Sequence, residues 1–210
     1  MIKTLIFDMG GVLVDLHRER SIAHFQSIGV EDADTLIDYY HHKGLFLDFE
    51  SGVVDTGEFG RLLSKHAGKD ISEQDIENAW RSMVSDPPSY KMDYLVALRK
   101  KYTLFLLSNN NPILMDSWAF TNHFSSQGRP ITDYFDKVYL SYQMKCAKPD
   151  PIIFEKMIED SKIIPSASLF IDDGLHNIET AQSLGFHTYH TRNGEDWREA
   201  LDQLLIKVNG

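Results

Sequence analysis

Five polar side chains stand at or just beyond the ends of short apolar segments of the sequence. Asp8, Ser108 and the doublet of Asp172 and Asp173 each close such a segment, and Lys148 follows another. Three carboxylates in one small site repel one another unless a cation lies between them. Oxygen ligands of this kind suit Mg²⁺. Mg²⁺ and a lysine together would neutralise a phosphate group, whose transfer depends mainly on positioning and charge.

Taken singly, these residues have ordinary explanations. An Asp after a strand is often only a turn residue, and for Asp8 alone that reading is preferred. An isolated lysine such as Lys148 is usually solvated. Their combination indicates a catalytic site, provided that the secondary-structure elements that carry them bring them together.

The apolar segments before these residues are predicted to be β-strands. They span residues 2–7, 103–108, 137–141, 168–172 and 186–190. Most are continuously apolar, as in strands buried on both faces of a parallel sheet, and helical patterns separate the later ones. The carboxyl ends of parallel strands share one edge, so the polar residues are expected to converge there. Gly10 and Gly11 would let the chain turn sharply after Asp8.

Residues 16–88 interrupt this alternation with several helical patterns and no strand. Residues 21–29, 32–42, 56–68 and 72–84 each carry apolar residues at helical spacing. The predicted fold class is therefore α/β, a Rossmann-like doubly wound parallel sheet with an inserted α-helical cap. The core would comprise residues 1–15 and 89–210, and the cap residues 16–88.

The composition limits the classes of partner. Of the 210 residues 42% are hydrophobic and 25% charged, which is typical of a globular protein, and the formal net charge is −10. No basic cluster exceeds residues 99–101, so we expect no nucleic-acid partner, and no apolar run is long enough for a membrane span. The single cysteine, Cys146, suits a reducing compartment, which favours a cytoplasmic location.

Four segments resemble, in order, the motifs of the haloacid dehalogenase-like (HAD-like) hydrolase superfamily. They are FDMGGVLVD, LLSNN, KPDPIIF and FIDDGLHNIETAQSLGF. The resemblance extends over nearly the whole chain, and the helical insertion resembles the first cap class (C1). Residues 49–59, FESGVVDTGEF, are similar to a segment of sugar-phosphate phosphatases, including those acting on glucose 1-phosphate. The resemblance implies Mg²⁺-dependent hydrolysis of a small phosphorylated metabolite, with a sugar phosphate favoured.

The resemblance also implies roles for the residues that handle phosphate. Asp8 would be the nucleophile that forms an aspartyl-phosphate intermediate. Ser108 would hydrogen-bond the phosphoryl oxygens, with Asn109 beside it. Lys148 would neutralise the phosphate and hold Asp8 in place.

The resemblance implies a metal site as well. Asp8 and Asp173 would bind Mg²⁺ directly, together with the backbone carbonyl of Gly10. Asp172 would be a direct or water-mediated ligand. Asn177 would brace the loop that carries the two acids.

Gly10 departs from the superfamily pattern. Most phosphatases that the chain resembles have a second Asp at this position. That acid transfers a proton to the leaving group, and general acid–base catalysis of this kind raises the rate by about 10²–10⁴-fold. We hypothesise that Asp15 or His17, just downstream, partly replaces it. A water molecule is the alternative, most easily with a good leaving group.

Other functions fit parts of the sequence. A 2-haloacid dehalogenase of the same fold also lacks the second Asp but needs no paired acids, so the doublet at residues 172–173 favours phosphoryl chemistry. A degenerate, low-activity binding protein would be expected to lose Asp8 and Lys148, which are present. A phosphoaspartate receiver has its paired acids after the first strand, and a mutase normally needs the acid that Gly10 replaces. No role is assigned to residues 115–135.

Overall fold

Five parallel strands form the centre of the protein in the computed structural model, which describes residues 1–210. The strands are β1 (Thr4–Phe7), β2 (Thr103–Ser108), β3 (Lys137–Leu140), β4 (Ser168–Asp172) and β5 (His187–His190). Their order across the sheet is β3-β2-β1-β4-β5. Every residue of β1 and β4 is buried, as expected for strands covered on both faces. The predicted doubly wound parallel sheet is confirmed, with strand ends within two residues of the prediction.

The register of β1 explains why the motifs meet. Phe7 pairs with Leu106 of β2 on one side and with Ile171 of β4 on the other. The N–H of Asp8 donates to the Ile171 carbonyl at 2.9 Å, which extends the pairing by one residue. Asp8 therefore leaves the sheet directly beside Asp172, at the same edge as the end of β2.

Eleven α-helices surround the sheet. They are α1 (Arg18–Ser27), α2 (Ala33–Leu36), α3 (Gly44–Glu50), α4 (Thr56–Ala67), α5 (Glu73–Arg81), α6 (Ser89–Leu98), α7 (Pro112–Leu114), α8 (Ser141–Met144), α9 (Pro151–Ser161), α10 (Leu175–Ser183) and α11 (Arg198–Asn209). Helices α1 to α5 lie between β1 and β2 in the chain, in the segment predicted to be helical. A π-helical turn at Met115–Ala119 and two 3-10 turns, Ile131–Tyr134 and Pro165–Ala167, complete the regular structure. None of the helices is long and apolar enough to cross a membrane.

The helical pattern over residues 32–42 is only partly realised. Helix α2 ends at Leu36, and residues 37–43 are irregular. The side chain of Asp38 explains the break, because its Oδ1 accepts hydrogen bonds from the N–H groups of Tyr40 and His41 at 3.0 and 3.3 Å. Short polar side chains compete in this way with helical hydrogen bonding. The prediction of a helix through residues 37–42 is therefore wrong.

Two other helix starts follow from their capping residues. Ser72 accepts a hydrogen bond from the N–H of Asp75 and caps α5. Asp55 accepts a hydrogen bond from the N–H of Glu58 and caps α4, which begins at Thr56. Both arrangements satisfy N–H groups that a helix end leaves free.

One apolar cluster of 40 buried residues joins the helical insertion to one face of the sheet. A smaller cluster of 11 residues fills the other face, under α9 and α10. Part of the segment at residues 115–135 lies in the larger cluster, including Trp118, Phe124 and Tyr134. In the insertion, the ring of Phe46 lies 5.0 Å from Phe25 and 5.4 Å from Trp80. The insertion is thus held by aromatic packing that continues into the core beside the sheet.

Replacing Phe46 by alanine is expected to destabilise the protein by about 3–5 kcal/mol, because the ring is fully buried and its neighbours cannot all close the gap. Urea unfolding followed by circular dichroism measures this loss. The matched control is Val53→Ala, since Val53 is 72% exposed and its truncation is expected to change stability by less than about 0.5 kcal/mol. Equal stability of the two variants would contradict the packing described here.

Candidate active site

Lys148 is the centre of a buried charge cluster at the carboxyl edge of the sheet. Its Nζ lies 3.1 Å from Asp8 Oδ1 and 2.6 Å from Asp172 Oδ2. Burial opposes the charge on the lysine, but the carboxylates of Asp172 and Asp8 outweigh it and raise the pKa of Lys148. The lysine therefore stays protonated and ties the end of β1 to the end of β4.

The two acids of the doublet have different surroundings. Both oxygens of Asp172 are engaged: Oδ2 accepts from Lys148, and Oδ1 accepts from the Gly174 N–H at 2.7 Å and from Asn177 Nδ2 at 2.9 Å. Asn177 thus lies where a bracing role requires it. Asp172 is fully buried and acts on Lys148 rather than facing the open part of the site.

Asp173, by contrast, presents an oxygen with no partner. Its Oδ2 is buried and makes no hydrogen bond. A Cβ on Gly11 would lie 2.0 Å from this oxygen, and Gly11 has a φ of +69°, so only glycine allows the acid to approach so closely. A buried carboxylate oxygen without a donor is costly unless a ligand satisfies it.

The donor set fits a divalent cation. Asp8, Asp172 and Asp173 each offer one carboxylate oxygen, and these atoms lie within 4.8 Å of one another. Gly10 lines the same cavity, and its carbonyl accepts no backbone hydrogen bond. Oxygen-only donors of this kind are the ligands that Mg²⁺ prefers. Of the doublet, Asp173 is better placed for direct ligation, since both oxygens of Asp172 already accept hydrogen bonds.

The crowding of negative charge is visible in the carboxyl pKa values. Burial raises the pKa of Asp8 to about 6 against the opposing charge of Lys148, with a further contribution from Asp172. Burial, Asp8 and Asp172 raise the pKa of Asp173 to about 8. A cation between these groups would remove much of the repulsion.

Asn109 and Ser108 follow β2 on the other side of Asp8. The Asn109 side chain exchanges two hydrogen bonds of 2.8 Å with the backbone of Lys148, donating to its carbonyl and accepting from its N–H. This pair fixes the lysine against the end of β2. The buried Ser108 hydroxyl donates to the Asn109 carbonyl at 3.3 Å, and its contact with Asp8 counteracts part of the rise in the pKa of that acid.

The turn after Asp8 is held in place by two buried hydrogen-bond donors. The Val12 carbonyl accepts hydrogen bonds from Lys91 Nζ at 2.7 Å and from Trp197 Nε1 at 2.8 Å. Both donors are buried, and they come from α6 and from the start of α11. Two distant parts of the chain therefore fix the loop that carries the nucleophile candidate.

A small cavity of about 70 Å³ opens onto this cluster and is closed by the helical insertion. The sheet side contributes Asp8, Gly10, Asn109, Lys148 and Asp173, and the insertion contributes Tyr39, Tyr40, His42, Glu50 and Trp80. The Nε1 of Trp80 is buried without a hydrogen-bond partner. The sequence gives no sign that Trp80 or Glu50 would reach the cavity: Trp80 carries no motif, and Glu50 is one of eleven residues in the segment 49–59 that resembles sugar-phosphate phosphatases.

Asp15 and His17, the predicted substitutes for the missing acid, are not among the residues that line the cavity. The backbone of Asp15 pairs with Ser85, and its carboxyl lies beside Gly194. The backbone N–H of His17 donates to the Met83 carbonyl. Both residues lie on the connection between the sheet and the insertion.

Comparison with known proteins identifies the family. The model of the haloacid dehalogenase-like hydrolase family matches residues 2–185. The chain belongs to this family. It is 44% identical over 205 residues to the D-ribitol-5-phosphate phosphatase of Bacteroides thetaiotaomicron, and the aligned region covers 98% of this chain and 99% of that protein. The resemblance inferred from the four motifs is thereby confirmed.

Solved structures of HAD-like proteins agree with the fold. A HAD-like family hydrolase of Porphyromonas gingivalis superimposes with a TM-score of 0.93 at 46% identity, over 98% of both chains. A HAD family enzyme of B. thetaiotaomicron, in complex with magnesium and inorganic phosphate, gives a TM-score of 0.87 at 42% identity, over 95% of this chain and 99% of that one.

Mg²⁺ is expected to raise the melting temperature of the wild-type HAD-like chain, because a ligand that binds only the folded state stabilises it by about 2.7 kcal/mol at 100 times its Kd. Asp173→Asn is expected to lose this rise while melting no lower than wild type without metal, since the substitution removes like-charge repulsion. Differential scanning calorimetry with and without Mg²⁺ measures both effects.

The matched control is Asp70→Asn, an exposed acid outside the cluster. It is expected to keep the full Mg²⁺ response. An unchanged response in Asp173→Asn would show that the cation binds elsewhere.

Proposed function

We propose that this chain is a Mg²⁺-dependent phosphatase that hydrolyses a small sugar phosphate through an aspartyl-phosphate intermediate on Asp8. The observation that carries the proposal is the buried bridge of Lys148 between Asp8 and Asp172, with the unpartnered oxygen of Asp173 beside it. A lysine and a cation site around one free carboxylate form a receptor for a phosphoryl group. The similarity to the D-ribitol-5-phosphate phosphatase supports it.

Asp8 has the orientation that a nucleophile needs. Its Oδ1 accepts from the Met9 N–H at 2.7 Å and lies against Lys148, which fixes the carboxylate plane. The other oxygen attacks phosphorus, and the bond between phosphorus and the ester oxygen breaks. Water then attacks the phosphorus of the phosphoaspartate, which regenerates Asp8 and releases inorganic phosphate.

The remaining residues position and neutralise the phosphate. Lys148 places a positive charge against its oxygens, and Ser108 offers a hydroxyl donor at the end of β2. Mg²⁺, held by Asp8, Asp173 and the Gly10 carbonyl with Asp172 behind them, would neutralise the remaining charge. Asn109 contributes by fixing Lys148, through the two hydrogen bonds to its backbone.

Residues 16–88 are proposed to act as a cap over a core of residues 1–15 and 89–210. The two connections run side by side, with Leu16 bridged to Val84 and the Ser85 N–H donating to the Asp15 carbonyl at 3.0 Å. A paired connection of this kind can bend as one hinge. The cap would exclude water from the reaction and select the organic part of the substrate.

The proposed substrate is a phosphorylated sugar or sugar alcohol, with D-ribitol 5-phosphate first among the compounds to test and glucose 1-phosphate second. The insertion lines the cavity with aromatic rings and with the polar groups of Tyr39, Tyr40 and His42, which can contact hydroxyl groups. The cytoplasm is the proposed location, on the ground of the single cysteine.

Phosphate release from a panel of esters tests the proposal, with D-ribitol 5-phosphate, glucose 1-phosphate and p-nitrophenyl phosphate assayed with Mg²⁺ or with EDTA. Wild type is expected to hydrolyse at least one sugar phosphate only with Mg²⁺. Asp8→Asn is expected to lose activity on every ester by about 10⁴-fold or more, because it removes the nucleophile.

Glu159→Gln, which alters an exposed acid of α9, serves as the control and is expected to remain fully active. Fluoride release from fluoroacetate is measured in parallel. Dehalogenation without phosphate release, or full activity of Asp8→Asn, would refute the proposed function.

A further inference from the structure

The backbone at position 10 does not require glycine. Gly10 does not have the positive φ of Gly11, and a Cβ at Gly10 would meet only the flexible end of Leu16, at 3.0 Å. With no acid at position 10, either water or another group that faces the cavity has to supply the proton that an alkyl leaving group requires.

We propose that Glu50, at the end of α3, is the catalytic residue that transfers protons in this reaction, in place of an acid at position 10. It donates a proton to the leaving oxygen and then accepts one from the attacking water. This inference rests on the proposed function, since it assigns the acid and base of that phosphatase reaction.

Glu50 is placed at the cavity by a contact with the sheet side. Its backbone carbonyl accepts a hydrogen bond of 2.6 Å from Ser141 Oγ, and the same hydroxyl accepts from the Asn110 N–H at 3.0 Å. Asn110 lies two residues after Ser108. The end of α3 is therefore fixed to the loop that would bind the phosphate.

The carboxyl of Glu50 has no structural task. The side chain is 9% exposed, lines the same cavity as Asp8 and makes no hydrogen bond. The nearest basic atom, His42 Nε2, lies 3.9 Å from Glu50 Oε1, beyond hydrogen-bonding distance. Unlike Asp173 Oδ2, the Glu50 oxygens are not sealed from the cavity, so the acid is open to contact with a reacting group.

His42 is neutral beside it. Its Nδ1 accepts a hydrogen bond from the Asp38 N–H at 3.2 Å, so Nε2 carries the proton and points towards Glu50. Burial lowers the pKa of His42 to about 4, which prevents an ion pair at neutral pH. The imidazole therefore neither forms an ion pair with Glu50 nor takes its proton.

The charges around Glu50 favour the protonated form. Burial raises the pKa of Glu50 to about 8, the charge of Asp8 adds to the rise, and Lys148 opposes it. Burial, the largest of these causes, does not depend on a bound cation. At neutral pH the group is a carboxylic acid, which is the form that the first step consumes.

Few other titratable groups face the cavity. From the sheet side these are Asp8, Lys148 and Asp173, each of which already has a task in binding phosphate or metal. From the insertion they are Tyr39, Tyr40 and His42. Burial and the charge of Asp173 raise the pKa of Tyr40, and neutral His42 is a weak acid. Glu50 is the carboxyl that the insertion contributes.

The proposed steps balance. Asp8 attacks phosphorus, the electron pair of the broken bond goes to the ester oxygen, and the Glu50 proton goes to that oxygen to give the alcohol. Water then attacks the phosphoaspartate, its proton returns to Glu50, and the Asp8 carboxylate leaves with the electron pair. The sum is one ester and one water converted to one alcohol and one phosphate.

The experiment compares leaving groups in Glu50→Gln. For an alkyl phosphate such as D-ribitol 5-phosphate, kcat/KM is expected to fall by about 10²–10⁴-fold, because the alkoxide cannot leave unprotonated. With p-nitrophenyl phosphate, whose phenolate leaves without a proton, a first burst of phenolate is expected to remain. Its steady-state turnover is expected to fall, because water attack lacks a base.

A merely structural role predicts a different pattern. Equal loss of the phenolate burst and of alkyl-phosphate hydrolysis, or no loss of either, would overturn the assignment to Glu50. So would a selective loss of alkyl-phosphate hydrolysis in Asp15→Asn rather than in Glu50→Gln. Asp8→Asn abolishes the burst as well, so failure of the proposed function is distinguishable from failure of this inference.

A second variant keeps the test decisive. Gly10→Asp, added to Glu50→Gln, is expected to raise kcat/KM for the alkyl phosphate at least about tenfold above that of Glu50→Gln alone, because it supplies another proton donor beside the ester. A double variant that still releases the phenolate burst but recovers no alkyl-phosphate hydrolysis would contradict the role of Glu50. Glu159→Gln is the matched control for both.

The pH profile gives an independent readout. Since the acid form of Glu50 acts first, kcat/KM for an alkyl phosphate is expected to fall as pH rises through the raised pKa of about 8. This alkaline limb is expected to be absent from the small remaining activity of Glu50→Gln. Persistence of the same limb in that variant would assign it to another group and count against the inference.

Discussion

The buried contact of Lys148 with two carboxylates is the constraint on which the site depends. Removing three charges from water is costly, and such a cluster persists only where the surrounding structure holds it. Here β1 and β4 are adjacent, so Asp8 and Asp172 emerge side by side, and Asn109 fixes the backbone of the lysine between them. The sheet, the loop after β2 and the start of α10 all serve to keep these three charges in place.

The same cluster separates the tasks of two neighbouring acids. Both oxygens of Asp172 accept hydrogen bonds, from Lys148, the Gly174 N–H and Asn177, whereas Asp173 keeps a free oxygen against the bare backbone of Gly11. Identical side chains one residue apart thus have different tasks because successive residues at a strand end face different directions. Asp172 raises the pKa of Lys148, and Asp173 remains available for a cation.

Much of the sheet and of its polar edge could be predicted from the sequence, because continuous apolar strands and terminal polar residues leave a local signal. The Asp38 turn was missed because one side chain overrides a helical pattern. Glu50 was missed for another reason: it is fixed beside the cavity by the contact of α3 with Ser141 at the start of α8, and no spacing along the chain reveals that contact. The placement of Asp15 and His17 on the connection, rather than at the cavity, likewise depends on tertiary structure.

The cavity beside Asp8 has walls from both the sheet edge and the helical insertion. Its size therefore depends on how the insertion lies against the sheet. Because the aromatic packing of the insertion is continuous with that beside the sheet, any movement that widens the cavity has to break apolar contacts. If residues 16–88 act as the proposed cap, its rate of opening depends on the cohesion of the hydrophobic interior, and a mutation far from phosphorus can alter the speed of the enzyme.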